Sequence, residues 1–137
     1  MNVLDKSFKN MNILEKSMNA SWLRNDATSN NIANVNTPKF KRNVVKFESV
    51  LAESLSDTSI GGKVTHEKHI PIGNVNIDQI EPMVTKDFTT KYRKDGNNVN
   101  IDVEMANMAK NTIRFYTLKE AISSNLQKLK LAVKDGR

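Results

Sequence analysis

Twelve residues decide how this chain folds, namely Ser29-Asn30-Asn31-Ile32-Ala33-Asn34-Val35-Asn36-Thr37-Pro38-Lys39-Phe40. They stand where a long amphipathic pattern ends and an extended segment begins. Asparagine is a poor helix former, because its side chain competes for backbone hydrogen bonds and tolerates the left-handed conformation that ends helices. Pro38 forbids continuation of a helix and pushes Thr37 toward extended geometry. The chain before this stretch is therefore predicted to be one helix.

The N-terminal helix is predicted from a stripe of apolar side chains at steps of three or four residues. Between Leu4 and Trp22 the mean step is about 3.6 residues, which is the period of a straight α-helix. The stripe continues through Asn25 and Ser29, whose polarity predicts either local fraying or a polar contact that fixes the register. Trp22 is interpreted as a packing residue rather than a recognition residue. The members expected to pack in an assembly are Leu4, Phe8, Met11, Leu14, Met18, Trp22 and Ile32.

Residues 37–100 are predicted to form a middle region of extended segments, loops and short strands. The pattern at 43–47 is extended, and 48–55 is predicted to be a short helix. Prolines and glycines interrupt the later β-branched residues, which leaves room only for short strands near 75–80 and 84–90. We expect a small irregular lobe or extended arms between two helical ends.

A second long helix is predicted to begin after the turn signal Asp95-Gly96. Asn100 or Asp102 can cap its first turn, and the acidic start and lysine-rich end suit the helix dipole. Its apolar residues follow a heptad, which is typical of a coiled-coil seam. The members expected to pack are Ile101, Met105, Met108, Phe115, Ile122, Leu126, Leu129 and Val133.

These patterns predict a mainly α fold. Long amphipathic helices in 1–36 and 101–137 pair as a coiled-coil-like bundle, with a small, irregular and partly β region at 37–100 between them. Apolar side chains also lie off both stripes, so a two-helix hairpin cannot bury them all, and large exposed apolar surface usually marks a partner site. We expect heterologous contacts that build a helical tube. The alternative is a middle region that folds back to complete a small monomeric bundle.

The charge of the chain leaves a second class of function open. The formal net charge is +6, divided as +4 over 1–42, −1 over 43–100 and +3 over 101–137. A basic coiled-coil protein can bind nucleic acid or an anionic surface. The lysines are scattered singly rather than clustered with aromatic residues, which favours a solvated helix face. A helical adaptor with one partner is a third possibility.

Composition excludes several kinds of chemistry and location. The chain has no cysteine, so disulfides and thiol chemistry are impossible. No run of about eighteen apolar residues is present, and no membrane insertion is expected. The first residues lack the apolar core and cleavage site of a secretory signal, so composition alone predicts a cytosolic protein.

The sequence predicts no catalytic residue, no metal site and no cofactor. Gly61-Gly62 lacks the upstream glycine and downstream helix start of a phosphate-binding loop. His66 and His69 are three residues apart, but they precede Pro71 in a loop-like segment without a third ligand, which disfavours zinc. An enzyme is the least supported class.

Two stretches carry a resemblance to a known family. Residues 31–38 closely resemble the N-terminal signature of bacterial flagellar axial proteins, the rod and hook family. Residues 95–105 are similar to the segment that opens the C-terminal helix of one kind of proximal rod protein in that family. The residues of the two signatures are Asn30, Asn31, Ile32, Ala33, Asn34, Asn36, Thr37, Pro38, Phe40, Asp95, Gly96, Asn97, Asn98, Val99, Asp102, Glu104 and Met105.

One departure from the family pattern concerns the backbone. Gly-Tyr often follows the first signature, where this chain has Lys39 and Phe40. Because only glycine adopts a positive φ without steric cost, the change argues against a turn of that kind at position 39.

The resemblance implies a structural subunit of the flagellar basal-body proximal rod, which self-assembles through its terminal helices and is needed for motility. A sister proximal-rod protein of the same family is the alternative. The implied partners are further copies of the chain, other rod proteins, and the base of the rod at the inner-membrane ring and export gate. The implied location is the rod within the periplasm, reached through the type III export apparatus without a cleaved signal peptide.

Overall fold

The structure is a computed structural model, and it describes residues 3–55, 80–90 and 92–134. Five elements follow one another along the chain: α1 (Val3–Ala33), β1 (Asn43–Lys46), α2 (Glu48–Leu55), β2 (Met83–Lys86) and α3 (Ile101–Lys134). The mainly α class, the two long terminal helices and the partly β region between them are confirmed. The segment with His66 and His69 and the expected strand residues 75–79 lie outside the described part of the chain, as does the side chain of Leu4.

The helices α1 and α3 pack side by side in antiparallel directions. The Oγ of Ser21 donates to Oδ1 of Asn111 at 3.2 Å, and Nδ2 of Asn31 donates to Oε2 of Glu104 at 3.0 Å. A later residue of α1 thus contacts an earlier residue of α3, as an antiparallel pair requires. The two signatures therefore lie at the same end of the hairpin.

The first signature ends α1 in a tight turn. The N–H of Thr37 donates to the carbonyl oxygen of Asn34 at 3.0 Å, and Nδ2 of Asn34 caps the carbonyl oxygen of Asn30 at 2.8 Å. Asparagine side chains and turn amides thus bond the carbonyl oxygens that a helix end leaves without partners. The helix consequently ends at Ala33, three residues before the expected boundary at 36.

The backbone at Lys39 differs from the prediction. Its φ is +60°, so the positive φ that the missing glycine argued against is present. The Lys39 N–H donates to the carbonyl oxygen of Asp95 at 3.1 Å, and Gly96, with φ +83°, lies directly against it. A hydrogen bond to a residue far away in the sequence and close packing against Gly96 thus hold the strained Lys39 in place.

The strands β1 and β2 form a two-stranded antiparallel sheet. Asn43 pairs with Lys86 and Lys46 with Met83. The extended segment at 43–47 and the short helix at 48–55 are confirmed. The strand expected at 84–90 is shorter, because Asp87 turns the chain by bonding Thr89 and Thr90 through its carboxylate.

A small apolar core lies between α1 and the middle region. Its buried members are Ala20, Phe47 and Ile80, with Leu51 packed against them. Lys16 passes beside this core, and its Nζ donates to the carbonyl oxygen of Ile80 at 3.0 Å. Full burial of a phenylalanine contributes about 1.5–3 kcal/mol, so Phe47 contributes most of the apolar stabilisation in this cluster.

Candidate assembly site

One buried asparagine of the second signature closes the turn of the first. The Nδ2 of Asn97 lies within hydrogen-bonding distance of three carbonyl oxygens, those of Asn34 and Val35 at 3.0 Å and that of Thr37 at 2.9 Å. Its Oδ1 accepts from the N–H of Val99 at 2.7 Å. A carboxamide can do this because it offers two donor hydrogens and an acceptor oxygen.

A second buried asparagine joins the sheet to the start of α3. The Oδ1 of Asn98 accepts from the N–H of Arg42 at 2.8 Å. Its Nδ2 donates to the carbonyl oxygen of Asp87 at 2.8 Å and to Oγ1 of Thr90 at 2.9 Å. Asn98 therefore holds the residue before β1 and the residue after β2 together.

A third buried asparagine, on α1, contacts both β1 and α3. Its Nδ2 donates to the carbonyl oxygen of Asn43 at 2.9 Å, and its Oδ1 accepts from the N–H of Asn43 at 2.7 Å. The same Nδ2 donates to Glu104, as described above. We call Asn31, Asn97 and Asn98 the asparagine clasp, because together they join both signatures to the sheet.

The clasp surrounds a buried carboxylate. The side chain of Glu104 is 2% exposed, and its Oε1 lies 3.7 Å from Nε of Arg42. Those two atoms have no hydrogen-bond partner within the described part of the chain. A buried charge is costly unless it is paired, so Arg42 and Asn31 are the groups that offset the burial of this carboxylate.

An exposed ion-pair cluster joins α1, α2 and α3. The Nη2 of Arg24 donates to both carboxylate oxygens of Glu48, at 2.9 and 2.7 Å, and Nη1 of Arg114 donates to the same carboxylate. Partial burial raises the pKa of Glu48. The hydrogen bond from its own N–H and the charges of Arg24 and Arg114 lower it further than burial raises it, so the pKa is below its ordinary value.

A groove of about 410 Å³ lies between α1, β1 and α3. Four basic side chains line it, Arg24, Arg42, Lys110 and Arg114, together with the carboxylates of Glu48 and Glu104. Three of the four cations are paired with those carboxylates. Within the described residues no group of His, Cys, Asp or Glu could hold a metal ion. The charged side chains that line the groove thus form ion pairs that stabilise the fold, rather than a set of reactive groups.

The contact seam between the helices contains both apolar and polar residues. The Nδ2 of Asn111 donates to the carbonyl oxygen of Ser21 and to Oδ1 of Asn25, both at 2.7 Å. The prediction of a polar contact at Asn25 is therefore confirmed. At heptad spacing, buried and half-buried residues continue this seam on α1 at Met11, Leu14, Met18, Ser21, Asn25, Thr28 and Ile32, and on α3 at Glu104, Met108, Asn111, Phe115, Leu118, Ile122, Asn125 and Leu129.

Some of the residues expected to pack lie outside this seam. Phe8 is 60% exposed, Trp22 63% and Leu126 54%. Ile101, Met105 and Val133 are exposed as well. The apolar residues of α3 follow two adjacent rows of the helix. In the row of Ile101, the residues from Met108 to Leu129 lie in the seam, whereas the row of Met105, Leu126 and Val133 is exposed. The exposed row is not part of the seam.

Comparison with known proteins gives one consistent result. A family profile described as "Flagella basal body rod protein" matches residues 11–41. Proteins named flagellar basal body rod protein FlgB from Bacillus subtilis (strain 168), Aquifex aeolicus and Borrelia hermsii are 27%, 28% and 29% identical to this chain. The aligned regions cover 90%, 93% and 90% of this chain and 92%, 94% and 100% of those proteins.

Over about nine-tenths of its length the chain is thus similar to flagellar basal-body rod proteins. The resemblance read from the two signatures is thereby confirmed, and the rod protein is a structural component of the flagellum. Among the described helices of the rod protein, none is long and apolar enough to cross a membrane.

Several residues that hold the rod protein together gave only a weak sequence signal. Arg42 and Glu48 had no pattern that predicted their partners. Asn111 and Asn125 lie 14 residues apart, which is two heptads, and buried asparagines at seam positions are known to fix helix register. That spacing was the one signal that could have placed the seam correctly.

Proposed function

We propose that this rod protein forms the proximal part of the basal-body rod and self-assembles through the outward faces of its terminal helices. The observation that carries the proposal is a difference in polarity between the inner seam and the outer surface of the helix pair. The inner seam is rich in hydrogen-bonding residues, whereas large apolar side chains such as Trp22 and Leu126 remain exposed. Extended apolar surface of this kind usually marks a contact with another protein.

The asparagine clasp supports the proposal by placing both signatures at one end of the hairpin. A subunit that must repeat along a rod needs one defined geometry between its terminal helices. Asn97 and Asn31 each bond elements far apart in the chain, and buried polar contacts of this type favour a single arrangement. The two signatures thus fix the geometry between the terminal helices.

The similarity to flagellar basal-body rod proteins supports association with other flagellar rod proteins. We infer further that this chain contacts the base of the rod at the inner-membrane ring and export gate. We also infer that it reaches the periplasm through type III export without a cleaved signal peptide. A structural rather than catalytic role suits the ion-paired groove described above.

Deletion of the gene, followed by its return on a plasmid, tests the function. Electron microscopy of isolated cell envelopes should show inner-membrane rings without rods in the deletion strain, and complete basal bodies after complementation. Swimming in soft agar should be lost and regained in parallel. Complete flagella in the deletion strain would contradict the proposal. They would favour the alternative of a basic coiled-coil protein that binds nucleic acid or an anionic surface.

A further inference from the structure

One cation that lines the groove between α1, β1 and α3 has no carboxylate partner. The ion pairs described above occupy the other three cations and both carboxylates. Lys110 is exposed on α3, and its side chain has neither an ion pair nor a hydrogen bond within the described part of the chain. The lining therefore has a formal net charge of +2, and the charge of Lys110 is available to a ligand.

A second cation of the groove is only weakly paired. The Nε of Arg42 lies 3.7 Å from Oε1 of Glu104, which is longer than a hydrogen bond. The guanidinium group of Arg42 makes no hydrogen bond to the residues that the structure describes, although its side chain is 27% exposed. Because a guanidinium group offers five N–H donors in a fixed fork, Arg42 has donors left for a further acceptor.

The α3 wall of the groove places a third unused donor near the free cation. Asn107 is half-buried, and its carboxamide has no partner among the described residues. Asn107, Lys110 and Arg114 follow one another at steps of three and four residues, so they lie on the same side of α3. The polar groups that this side of the helix offers to a ligand are therefore mainly donors.

An excess of donors and a positive charge indicate an anionic ligand that is rich in acceptor oxygens. The cavity of about 410 Å³ is many times the roughly 30 Å³ of one water molecule, so it holds more than one small ion. Glu48 and Glu104 remain in the lining, and like charges repel, so a phosphate dianion is opposed more strongly than a carboxylate with one charge. Carboxylates on a larger molecule therefore fit this groove best.

The length of the groove suits an extended chain. From Asn107 to Arg114 the wall measures about 10 Å at 1.5 Å per residue. In an extended segment, side chains two residues apart project to the same side and are about 7 Å apart. Two carboxylates with that spacing fit within the groove, where one can bond Lys110 and the other Arg42.

A second copy of this chain is a poor source of such a segment. Its acidic residues are dispersed, and Asp102 and Glu104 are the one pair of them two residues apart. Both residues lie in α3, and Glu104 is buried. The segment that this groove accepts must therefore belong to a different protein.

We propose that the groove binds an extended acidic segment of another protein, with two carboxylates, two residues apart, bonded to Lys110 and Arg42. Charge complementarity between the lining and the segment selects an acidic partner over a neutral one. This binding site goes beyond the proposed function and does not depend on it.

A titration of the full chain, labelled with ¹⁵N and followed by NMR, tests the proposal. The probe is a blocked peptide with the repeat Glu-Ala-Glu, and the same peptide with Gln in place of Glu is the matched control ligand. The signals to follow are the Nε–H of Arg42 and the side-chain amide of Asn107. Lys110→Gln and Lys110→Glu are the test variants. Lys119→Gln, which removes an exposed lysine of α3 outside the groove lining, is the control variant.

The Glu peptide should shift both signals saturably, and the Gln peptide should leave them in place. Lys110→Gln should weaken binding about fivefold, the effect of one exposed ion pair, and Lys110→Glu should abolish it. Lys119→Gln should bind as the unsubstituted chain does. High salt should weaken binding in every case, because the contact is ionic.

Four results would overturn the proposal. No shift of the two signals would show that the groove is not a site for carboxylates. Equal weakening by Lys110→Gln and Lys119→Gln would show binding to diffuse charge. Displacement of the peptide by an equal concentration of inorganic phosphate would show a site for small anions. Stronger shifts with an oligonucleotide would show a site for nucleic acid. Rod assembly is measured by electron microscopy, so each of these results leaves the proposed function untouched.

Discussion

The side chain of Asn97 donates a hydrogen bond to the carbonyl oxygen of Thr37, which is 2.9 Å away and 60 residues earlier in the chain. Thr37 belongs to the first signature and Asn97 to the second. In the sequence, the first stretch looks only like the end of one helix and the second only like the start of another. In the folded chain the two stretches contact each other. The Asn97 carboxamide can join the two because its amide group donates to carbonyl oxygens of the turn while its own oxygen accepts from the buried N–H of Val99.

Replacing Asn97 should destabilise the fold strongly. Asn97→Ala removes the buried carboxamide that donates to the carbonyl oxygens of this turn, and it leaves the buried N–H of Val99 without its acceptor. An unsatisfied buried polar group costs about 1–3 kcal/mol. We expect the free energy of unfolding in urea to fall by about 2–3 kcal/mol. Asn97→Asp should be at least as severe, since a carboxylate would face those oxygens. Asn36→Ala, an exposed position in the same turn, is the control and should change stability little. Equal stability of the Asn97 and Asn36 variants would argue against the clasp.

Glycine at position 39 should stabilise the protein. Lys39 has φ +60°, and an L-residue in this conformation is strained by about 1–2 kcal/mol. Glycine removes that strain but loses more chain entropy on folding, so Lys39→Gly should raise the free energy of unfolding by about 0.5–1 kcal/mol. Lys39→Ala keeps the strain and serves as the control. A thermal melt in which the glycine variant unfolds below the alanine variant would count against this interpretation.

The ion-pair cluster around Glu48 should make stability depend on pH in acid. The folded-state pKa of Glu48 is lower than the ordinary value of 4.5. Its contribution is therefore fully present above pH 4.5 and is lost as the pH falls through the folded-state pKa. Glu48→Gln should flatten the stability profile just below pH 4.5, as followed by urea unfolding at a series of pH values. An unchanged profile would show that the cluster contributes no pH-dependent stability.

Asp87 should act in a more acidic window. Hydrogen bonds from the side chain and the backbone N–H of Thr89 lower its pKa from 3.8 to about 2. Its contribution is present above pH 3.8 and disappears toward pH 2, so Asp87→Asn should flatten only that part of the profile. The two variants together separate the turn after β2 from the helix cluster. A change at or above pH 4.5 in the Asp87 variant would contradict this assignment.

Two leucines of α3 should separate folding from assembly. Leu126 is 54% exposed, whereas Leu129 is half-buried at a seam position. Leu126→Glu should leave the stability of the monomer within about 0.5 kcal/mol, as expected of a surface substitution. It should still block rod assembly and swimming, because assembly would bury the new charge. Leu129→Glu should reduce both monomer stability and assembly. Normal motility of the Leu126 variant would show that its row is not an assembly surface.

Local features of this fold followed from local sequence patterns. The ends of α1 and α3, the strand at 43–46 and the short helix at 48–55 depend on caps, turns and periodicity within a few residues. Asn100, predicted as a possible cap, accepts from the N–H of Asp102 at 3.0 Å. Such signals are readable because the interacting groups are neighbours in the chain.

Contacts between distant segments were much harder to predict. Apolar residues mark both the seam and the exposed row of α3, so periodicity alone could not show which row of α3 contacts α1. Met105 and Leu126 were assigned to the same stripe as Met108 and Leu129, although only the latter two lie in the seam. The buried pair of Arg42 and Glu104 had no signal either, because ion pairing across 62 residues leaves no spacing that a single sequence reveals.

The polar seam also has a mechanical consequence. Asn111 is hydrogen-bonded to Ser21 and Asn25 at once, so α3 cannot slide along α1 by one helical turn, about 5.4 Å, without breaking these bonds together. An apolar seam would allow such a slip at lower cost, because one leucine can replace another. The helical hairpin should therefore behave as one rigid body. Under axial load or twist, the spacing of its outer surfaces should then stay constant.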